Sequence, residues 1–358
     1  MEFGLLYEWQ IPAGLDPAAE AKCFRDIIDQ VKLAEDVGFK SVWSVEHHFL
    51  ENFSSASAPE VLLSFIAAAT ETIRIGHGVR LLPFPYNHPV RAAEMAATLD
   101  LLSGGRLEFG SGRSATIHEL GGFCINPSET REMWEESLRL IVDCWTKPRT
   151  EHKGRFFQLP DRPVIPKPLQ GPHPPLWMSA TSPETHQLAG RLGLGLLSFT
   201  LAISIDEVER RIQMYRDEIA NCNPIGHTVN EQVAVFTMTH CAATNELACE
   251  QGEQGTMDYQ RDQIELLCSM VPEIKPGSSY EYYERYVGVD YDKFTFDYLR
   301  DREMVMVGDP EHCIKIAKRY EAAGIDRLLC HMQFKSMPNE QVVESIRLFG
   351  EEVIPAFS

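Results

Sequence analysis

Three residues that could perform acid/base chemistry, Glu46, His47 and His48, follow one another directly in this sequence of 358 residues. The apolar and β-branched residues 41–45 before them predict a buried strand, and Gly38 marks the end of a preceding helix. Ionisable groups at the carboxyl end of such a strand lie where α/β barrels and open α/β sheets have their active sites. An imidazole there could transfer protons near neutral pH.

The same three residues could instead bind a divalent metal ion, but such a site needs further ligands on other strands. Candidates for these ligands are His77, His88, Asp100, His118 and Glu119. Adjacent residues on a strand point to opposite faces, so His47 and His48 cannot easily bind one ion from inside a barrel. The nine cysteines contain no Cys-x-x-Cys motif and are typical of buried thiols. We therefore predict no metal site.

A second group of polar residues, Thr181, Ser182 and Thr185, lies between a predicted strand at 176–179 and a predicted helix from Pro183. Their hydroxyls and backbone N–H groups could form an anion site at the helix N-terminus. Ser182 is equally an ordinary N-cap with Pro183 at the first helical position. Both interpretations can hold together.

The elements that must position these residues alternate between strands and helices. Predicted strands cover residues 2–8, 41–45, 73–82, 106–109, 176–179, 194–199, 232–242 and 327–332. Predicted helices cover residues 17–37, 58–70, 89–102, 127–145, 183–192, 205–221, 246–270, 310–323 and 339–353. Eight strand-helix units predict an α/β fold, a single (β/α)8 TIM barrel over residues 1–358, with a doubly wound open sheet as the alternative.

Residues 252–302, between the seventh and eighth predicted strands, resist assignment but are too rich in aromatic side chains for a disordered segment. We predict an insertion between strands 7 and 8 that serves either as a lid or as a packing appendage. Residues 146–175 are rich in proline with apolar residues interleaved, which predicts an ordered excursion from the barrel.

The net charge of −19 makes a nucleic acid or an anionic membrane an unfavourable partner. No basic segment leads into an apolar one at the N-terminus, and no apolar run approaches the length of a membrane span. We therefore expect a cytoplasmic protein with no membrane partner and a small-molecule substrate.

Short motifs recur along nearly the whole chain, and their order and spacing resemble the bacterial luciferase-like family of flavin-dependent monooxygenases. They are Val42-Trp43, Glu46-His47-His48-Phe49, Gly76-His77-Gly78-Val79, Leu82-Pro83, His88-Pro89-Val90-Arg91, Leu99-Asp100, Ser103-Gly104-Gly105-Arg106, Phe109-Gly110, Ala180-Thr181-Ser182-Pro183 and the final residues 348–355. The resemblance implies an enzyme that uses reduced FMN and O2 to oxygenate a small organic molecule. It also implies a homodimer. Because the chain has no Gly-x-Gly-x-x-Gly motif, we expect a separate reductase to supply the reduced flavin.

The resemblance also assigns roles to individual residues. It makes His47 the acid/base, with Glu46 and His48 fixing its tautomer and orientation. It places a non-prolyl cis peptide bond at Gly78-Val79 beneath the flavin ring, consistent with a glycine in mid-strand. It assigns the flavin phosphate to Arg113 and Arg131 together with Thr181, Ser182 and Thr185.

Two positions depart from the luciferase pattern: Gly112 replaces a reactive cysteine, and Thr181 replaces an acidic residue. These departures argue against the luminescent aldehyde reaction but not against flavin binding. The alternatives are a deazaflavin-dependent oxidoreductase of the same fold, which transfers hydride without oxygen, and a non-catalytic flavin-binding subunit. A largely apolar substrate pocket is expected from Leu6, Tyr7, Trp9, Phe53, Phe84, Tyr86, Trp177 and the aromatic insertion, although these could equally be core or interface residues.

Overall fold

The computed structural model describes residues 1–12, 14–199, 203–289 and 293–357. The strands are β1 (Glu2–Tyr7), β2 (Ser41–Ser44), β3 (Arg74–His77), β4 (Arg80–Leu81), β5 (Leu107–Gly112), β6 (Thr150–Lys153), β7 (Gln158–Arg162), β8 (Leu176–Ala180), β9 (Gly195–Ser198), β10 (Val233–Cys241), β11 (Met306–Gly308) and β12 (Arg327–His331). The helices are α1 (Pro17–Asp36), α2 (Pro59–Ala69), α3 (Pro89–Leu102), α4 (Ile117–Gly122), α5 (Thr130–Thr146), α6 (Pro183–Arg191), α7 (Ile205–Ile219), α8 (Asn245–Cys268), α9 (Phe296–Asp301), α10 (Pro310–Ala322) and α11 (Asn339–Leu348). Short 3-10 helices occupy Pro127–Glu129, Val271–Glu273, Glu281–Tyr286 and Ile354–Phe357.

Eight parallel strands form a closed barrel in the order β1-β2-β3-β5-β8-β9-β10-β12. The ring closes because β12 pairs with β1 and β10 pairs with both β9 and β12. The short strands β4 and β11 pair only with the ends of β5 and β10. The predicted TIM barrel is confirmed, and the alternative of an open sheet is excluded because an open sheet has two unpaired edges.

The N-terminal end of the barrel is filled by a buried ionic cluster around Glu108. Its carboxylate accepts hydrogen bonds from Trp177 Nε1 at 2.7 Å and from Arg327 Nη1 at 2.9 Å, and it also pairs with Arg74. Residues at this end of a barrel serve stability, whereas the opposite end carries the site. Trp177 is therefore a core residue and not part of a pocket wall.

The predicted strand at 73–82 is interrupted. It consists of β3 and β4, and Gly78-Val79 between them has the predicted non-prolyl cis peptide bond. The neighbouring strand approaches this point closely, since a Cβ atom on Gly110 of β5 would lie 2.0 Å from the carbonyl oxygen of His77. Glycine at 110 thus lets two strands meet beside the interruption.

Other boundaries differ from the predictions in informative ways. Strand β5 continues to Gly112, and the short helix α4 was not predicted at all. The proline-rich excursion contains the antiparallel hairpin of β6 and β7.

The segment between β10 and β12 contains α8, two 3-10 helices, α9 and β11. The predicted start of the insertion, residue 252, lies inside α8, and residues 290–292 of that prediction lie outside the described residues. A second apolar cluster joins this segment to α4 through side chains such as Leu120, Leu267 and Tyr283. Among the residues that the structure describes, no helix is both long enough and apolar enough to cross a bilayer.

Candidate active site

A cavity of about 930 Å³ opens at the carboxyl ends of the barrel strands, the end at which TIM barrels carry their sites. Several residues predicted from the sequence line it together: Glu46, His47, Gly78, Val79, Arg113, Thr181 and Thr185. The other three predicted residues, His48, Arg131 and Ser182, lie outside this lining.

His47 lies between two carboxylates. Its Nδ1 is 3.0 Å from Oε1 of Glu119, and its Nε2 is 3.3 Å from Oε2 of Glu8. Glu119 is completely buried, and its other oxygen accepts hydrogen bonds from Ser114 Oγ at 2.7 Å and Thr116 Oγ1 at 2.9 Å. These bonds hold the carboxylate in one position against the imidazole.

The two carboxylates change the charge of His47. Burial by itself lowers the pKa of His47, but the charge and hydrogen bond of Glu119 and the contact with Glu8 together raise it to about 10. Burial likewise opposes ionisation of Glu119, yet His47 and the two hydroxyl donors keep the pKa of Glu119 below its usual range. His47 is thus an imidazolium at neutral pH. Its pKa differs from the near-neutral value expected from the sequence because both partners come from distant parts of the chain.

Glu119→Gln is expected to lower the pKa of His47 from about 10 toward its ordinary value of about 6.5. A pKa raised by folding means that protonated His47 stabilises the fold fully below about pH 6.5 and that this contribution disappears as the pH rises through 10. Because the pair also needs ionised Glu119, whose pKa is lowered, the variant should lose stability mainly between the pKa values of the two groups, a range that includes neutral pH. NMR titration of ¹⁵N-labelled histidines measures the pKa directly, and an unchanged His47 titration would contradict the assignment.

Glu46 and His48 form a separate pair and do not hold His47. Oε1 of Glu46 is 3.2 Å from Nε2 of His48, and the same carboxylate accepts hydrogen bonds from Leu81 N and Asn87 Nδ2, both at 2.9 Å. The expectation that Glu46 and His48 orient His47 is therefore wrong.

The orienting residues Glu8 and Glu119 were missed as partners of His47. Glu8 follows β1 directly, as Glu46 follows β2, so a carboxylate after a buried strand was an available signal. Glu119 lies on α4, which the sequence did not predict, and was considered only as a metal ligand. Within the described part of the chain, no group of three or more His, Cys, Asp or Glu side chains is arranged to hold a metal ion.

Gly78 and Val79 line the cavity beside His47. The preceding residue, His77, is buried, and burial together with the charge of Arg80 lowers its pKa to about 3. His77 is therefore neutral, and the interruption between β3 and β4 presents an uncharged surface to the cavity.

Two guanidinium groups lie near each other at the cavity: Arg113 lines it, and Arg131, outside the lining, is close to Arg113. Arg113 donates from Nη1 to Thr130 Oγ1 at 3.0 Å and to Ser279 Oγ at 2.7 Å. Arg131 donates from Nη1 to Glu184, but its Nε and Nη2 are buried without a hydrogen-bond partner. Burial, and then the nearby charge of Arg113, lower the pKa of Arg131. Two adjacent cations with unused buried donors form a site suited to an anion.

Ser182 and Thr185 use their hydroxyls to start α6. Ser182 Oγ accepts from Thr185 N at 3.2 Å, and Thr185 Oγ1 accepts from Ser182 N at 3.0 Å, which is a reciprocal capping box. The carbonyl of Thr181 is held by Nη1 of the buried Arg211 at 2.7 Å. The helix-cap interpretation of these residues therefore holds, and it places a helix N-terminus beside the two arginines.

The segment after α8 covers the arginine end of the cavity. The guanidinium of Arg113 stacks 4.4 Å from the ring centre of Tyr280, whose hydroxyl donates to Ser114 O at 3.1 Å. Tyr283 lines the cavity, and so do Gln263 and Leu267 of α8. Of the aromatic and apolar residues predicted as pocket walls before this segment, Leu6 lines a cavity, whereas Tyr7, Trp9 and Trp177 are hydrogen-bonded core residues.

The comparison with known sequences decides the family. The sequence model of the luciferase-like monooxygenases matches residues 1–327. This chain belongs to the luciferase-like monooxygenase family. The oxygenase component of a flavin-dependent trigonelline monooxygenase from Acinetobacter baylyi is a member with 26% identity over 345 residues, covering 96% of this chain and 92% of that protein.

Relatives of this luciferase-like chain differ in cofactor. An F420-dependent glucose-6-phosphate dehydrogenase from Amycolatopsis mediterranei is 25% identical over 351 residues, covering 96% of this chain and 98% of that protein. The oxygenating constituent of 3,6-diketocamphane monooxygenase from Pseudomonas putida, solved with FMN, matches with a TM-score of 0.79 at 22% identity, covering 99% and 98% of the two chains. These three similar proteins are oxidoreductases, and the structural match shows a shared fold.

Proposed function

We propose that this protein is the oxygenating component of a flavin-dependent monooxygenase, which uses reduced FMN and O2 to oxygenate a small, largely apolar organic molecule. The observation that carries the proposal is the pair of unpartnered guanidinium nitrogens of Arg131, which lies near Arg113, one of the residues that line the same cavity as His47. When bound, reduced FMN supplies the electrons that activate O2. The family assignment and the flavin-dependent relatives support the same conclusion.

The residues of the cavity fit a phosphorylated flavin. A dianionic phosphate would satisfy the free donors of Arg131, offset its repulsion with Arg113 and face the N-terminus of α6 beside Thr185. Gly78 and Val79 would form the platform for the ring, because they present uncharged backbone to the cavity. Thr181 and Ser182 would contribute indirectly, because they belong to the turn that positions the N-terminus of α6.

His47 would be the proton donor of the reaction. The proton on Nδ1 is held by Glu119, so the proton on Nε2, beside Glu8, is the one available to the cavity. Because His47 is charged at neutral pH, it donates a proton first and is then recharged from solvent. Glu46 and His48 would support the neighbouring wall.

The segment between β10 and β12 would be the insertion that forms the lid. Ser279, Tyr280 and Tyr283 contact residues around the anion site, and Gln263 and Leu267 form a wall of the cavity. Such a cover excludes water from the reacting groups. We propose that this lid and the barrel form one domain over residues 1–358.

Two protein partners are part of the proposal. A separate reductase would deliver the reduced flavin, as the description of one relative as an oxygenase component suggests. A second copy of the chain would cover the exposed apolar face of α2 and α3, where Val61 is 63%, Phe65 64% and Leu102 70% exposed. Sedimentation over a range of protein concentrations would detect this dimer.

A deazaflavin-dependent dehydrogenase is the second candidate, because an F420-dependent relative is similar over almost the whole chain. Anaerobic titration of the protein with photoreduced FMN and, separately, with the reduced deazaflavin distinguishes the two. We expect tight binding of reduced FMN and, after oxygen is admitted, oxygenation of an added organic substrate. Tight binding of the deazaflavin alone would instead support hydride transfer. Binding of FMN without any oxygenation across a broad substrate screen would support a non-catalytic flavin-binding subunit.

A further inference from the structure

A second cavity of about 430 Å³ continues from the first one into the barrel. The two cavities share Glu8, Val45, Gly78, Ser179 and Phe199 in their linings. We call the second cavity the inner chamber; its further lining residues include Leu6, Leu197, Ala234, Phe236 and Leu329. Its lining includes Glu8, which contacts His47, and Gly78, which belongs to the proposed platform for the flavin ring. A small molecule in the inner chamber would therefore lie next to that ring.

The walls of the inner chamber are apolar and partly aromatic. The rings of Phe199 and Phe236 stack with their centres 5.1 Å apart and an angle of 30° between their planes. Of the two serines in the lining, Ser198 already hydrogen-bonds His186 Nε2 at 2.9 Å. Among the described residues that line the chamber, Glu8 is the only one with a charged side chain. Flat apolar ligands fit such walls. The carboxylate of Glu8 determines which polar group such a ligand can carry at the end that faces it.

Glu8 is 3% exposed, and only one of its two carboxylate oxygens accepts a hydrogen bond from the protein. Its Oε1 accepts a hydrogen bond from Tyr259 Oη at 3.0 Å, and Tyr259 is itself held by Gln263 Nε2 at 3.2 Å. Its Oε2 has no hydrogen bond, although His47 Nε2 lies 3.3 Å away. The positive charge of His47 is also balanced by Glu119, so the three groups together carry one excess negative charge.

We propose that the inner chamber binds the organic substrate and that Glu8 selects substrates whose flat apolar body carries a cationic nitrogen, against substrates with a carboxylate. A cation gains from Oε2 of Glu8, which accepts no hydrogen bond although His47 lies beside it, whereas an anion meets the excess negative charge that Glu8, His47 and Glu119 carry together. Tyr259 is a positioning residue, because its hydroxyl directs the carboxylate. The inference rests on the proposed function for the identity of the reaction, but the charge preference is a property of the chamber itself.

Calorimetry with three probes of similar size tests the charge preference: benzylamine, which is cationic at neutral pH, benzyl alcohol, which is neutral, and benzoate. We expect benzylamine to bind the full chain at least about tenfold more tightly than benzoate, both with and without FMN. Glu8→Gln should reduce this ratio at least about tenfold. Glu311→Gln, the same substitution at an exposed position in the first turn of α10, should leave the ratio unchanged. Equal binding of benzoate, or an unchanged ratio in Glu8→Gln, would overturn the proposal.

A second variant tests the location independently of any loss of stability caused by Glu8→Gln. Ala234→Leu adds bulk to the chamber wall away from the arginines, so it should weaken all three probes while FMN affinity is retained. Probes that still bind to a folded Ala234→Leu protein would place their site elsewhere. If the protein shows the charge preference but binds no FMN, the proposed function fails and the chamber assignment stands. If FMN binds but the preference is missing, the chamber assignment fails alone.

Discussion

His47→Ala is expected to reduce substrate oxygenation by about 10²–10⁴-fold, the usual contribution of a positioned acid/base, while FMN affinity stays nearly unchanged. The reason is the position of His47. It is the charged donor between Glu8 and Glu119, and it has no hydrogen bond or ion pair with the arginines that would hold the phosphate among the described residues. Its removal leaves two carboxylates without their shared cation but does not touch the anion site.

Incorporation of ¹⁸O from labelled O2, measured by mass spectrometry with a substrate found in the broad screen, reports the oxygenation. The matched control is His118→Ala, which removes an exposed imidazole next to Glu119 and should retain activity. Unchanged turnover in His47→Ala would remove His47 from the mechanism. A parallel loss of FMN binding would indicate that His47 supports the cavity and does not donate the proton.

Arg131→Ala is expected to weaken FMN binding by between about tenfold and a thousandfold, because it removes a largely desolvated charge opposite a phosphate. Riboflavin has the same ring without the phosphate, so its affinity should change little. The effect depends on the two buried nitrogens of Arg131 that have no protein partner. Arg113→Ala should show the same loss, but Arg113 also contacts Thr130, Ser279 and Tyr280, so this variant is the less selective test.

Anaerobic titrations of both reduced flavins against the wild type and the variant measure this selectivity. Arg139→Ala is the control, because Arg139 lies on the same helix α5 and pairs only with the exposed Glu135 among the described residues. If Arg131→Ala weakens FMN and riboflavin equally, the variant has disturbed the cavity as a whole. If it weakens neither, the phosphate does not bind at this end.

The architecture was predictable because hydrophobic periodicity along the chain reports each strand and helix locally. Gly78-Val79 was also predictable, since a glycine inside an apolar strand and the resemblance to the luciferase-like family pointed to the same interruption. The short helix α4 was not predicted, because its six residues, which include two glycines, show almost no hydrophobic periodicity. With α4 unknown, the position of Glu119 was unknown as well.

The alternation of strands and helices that closes into a barrel, and several of the residues that gather at its carboxyl end, were predictable from local sequence patterns. Which carboxylate faces which imidazole depends on contacts that form in the folded chain. Glu46 is adjacent to His47 in the chain but pairs with His48, whereas Glu8 and Glu119 reach His47 from the end of β1 and from α4. These contacts join residues that are far apart in sequence, and they form only when barrel closure brings separate strand ends together. Local sequence patterns do not report which distant residues will meet, so they could not predict the charge of His47.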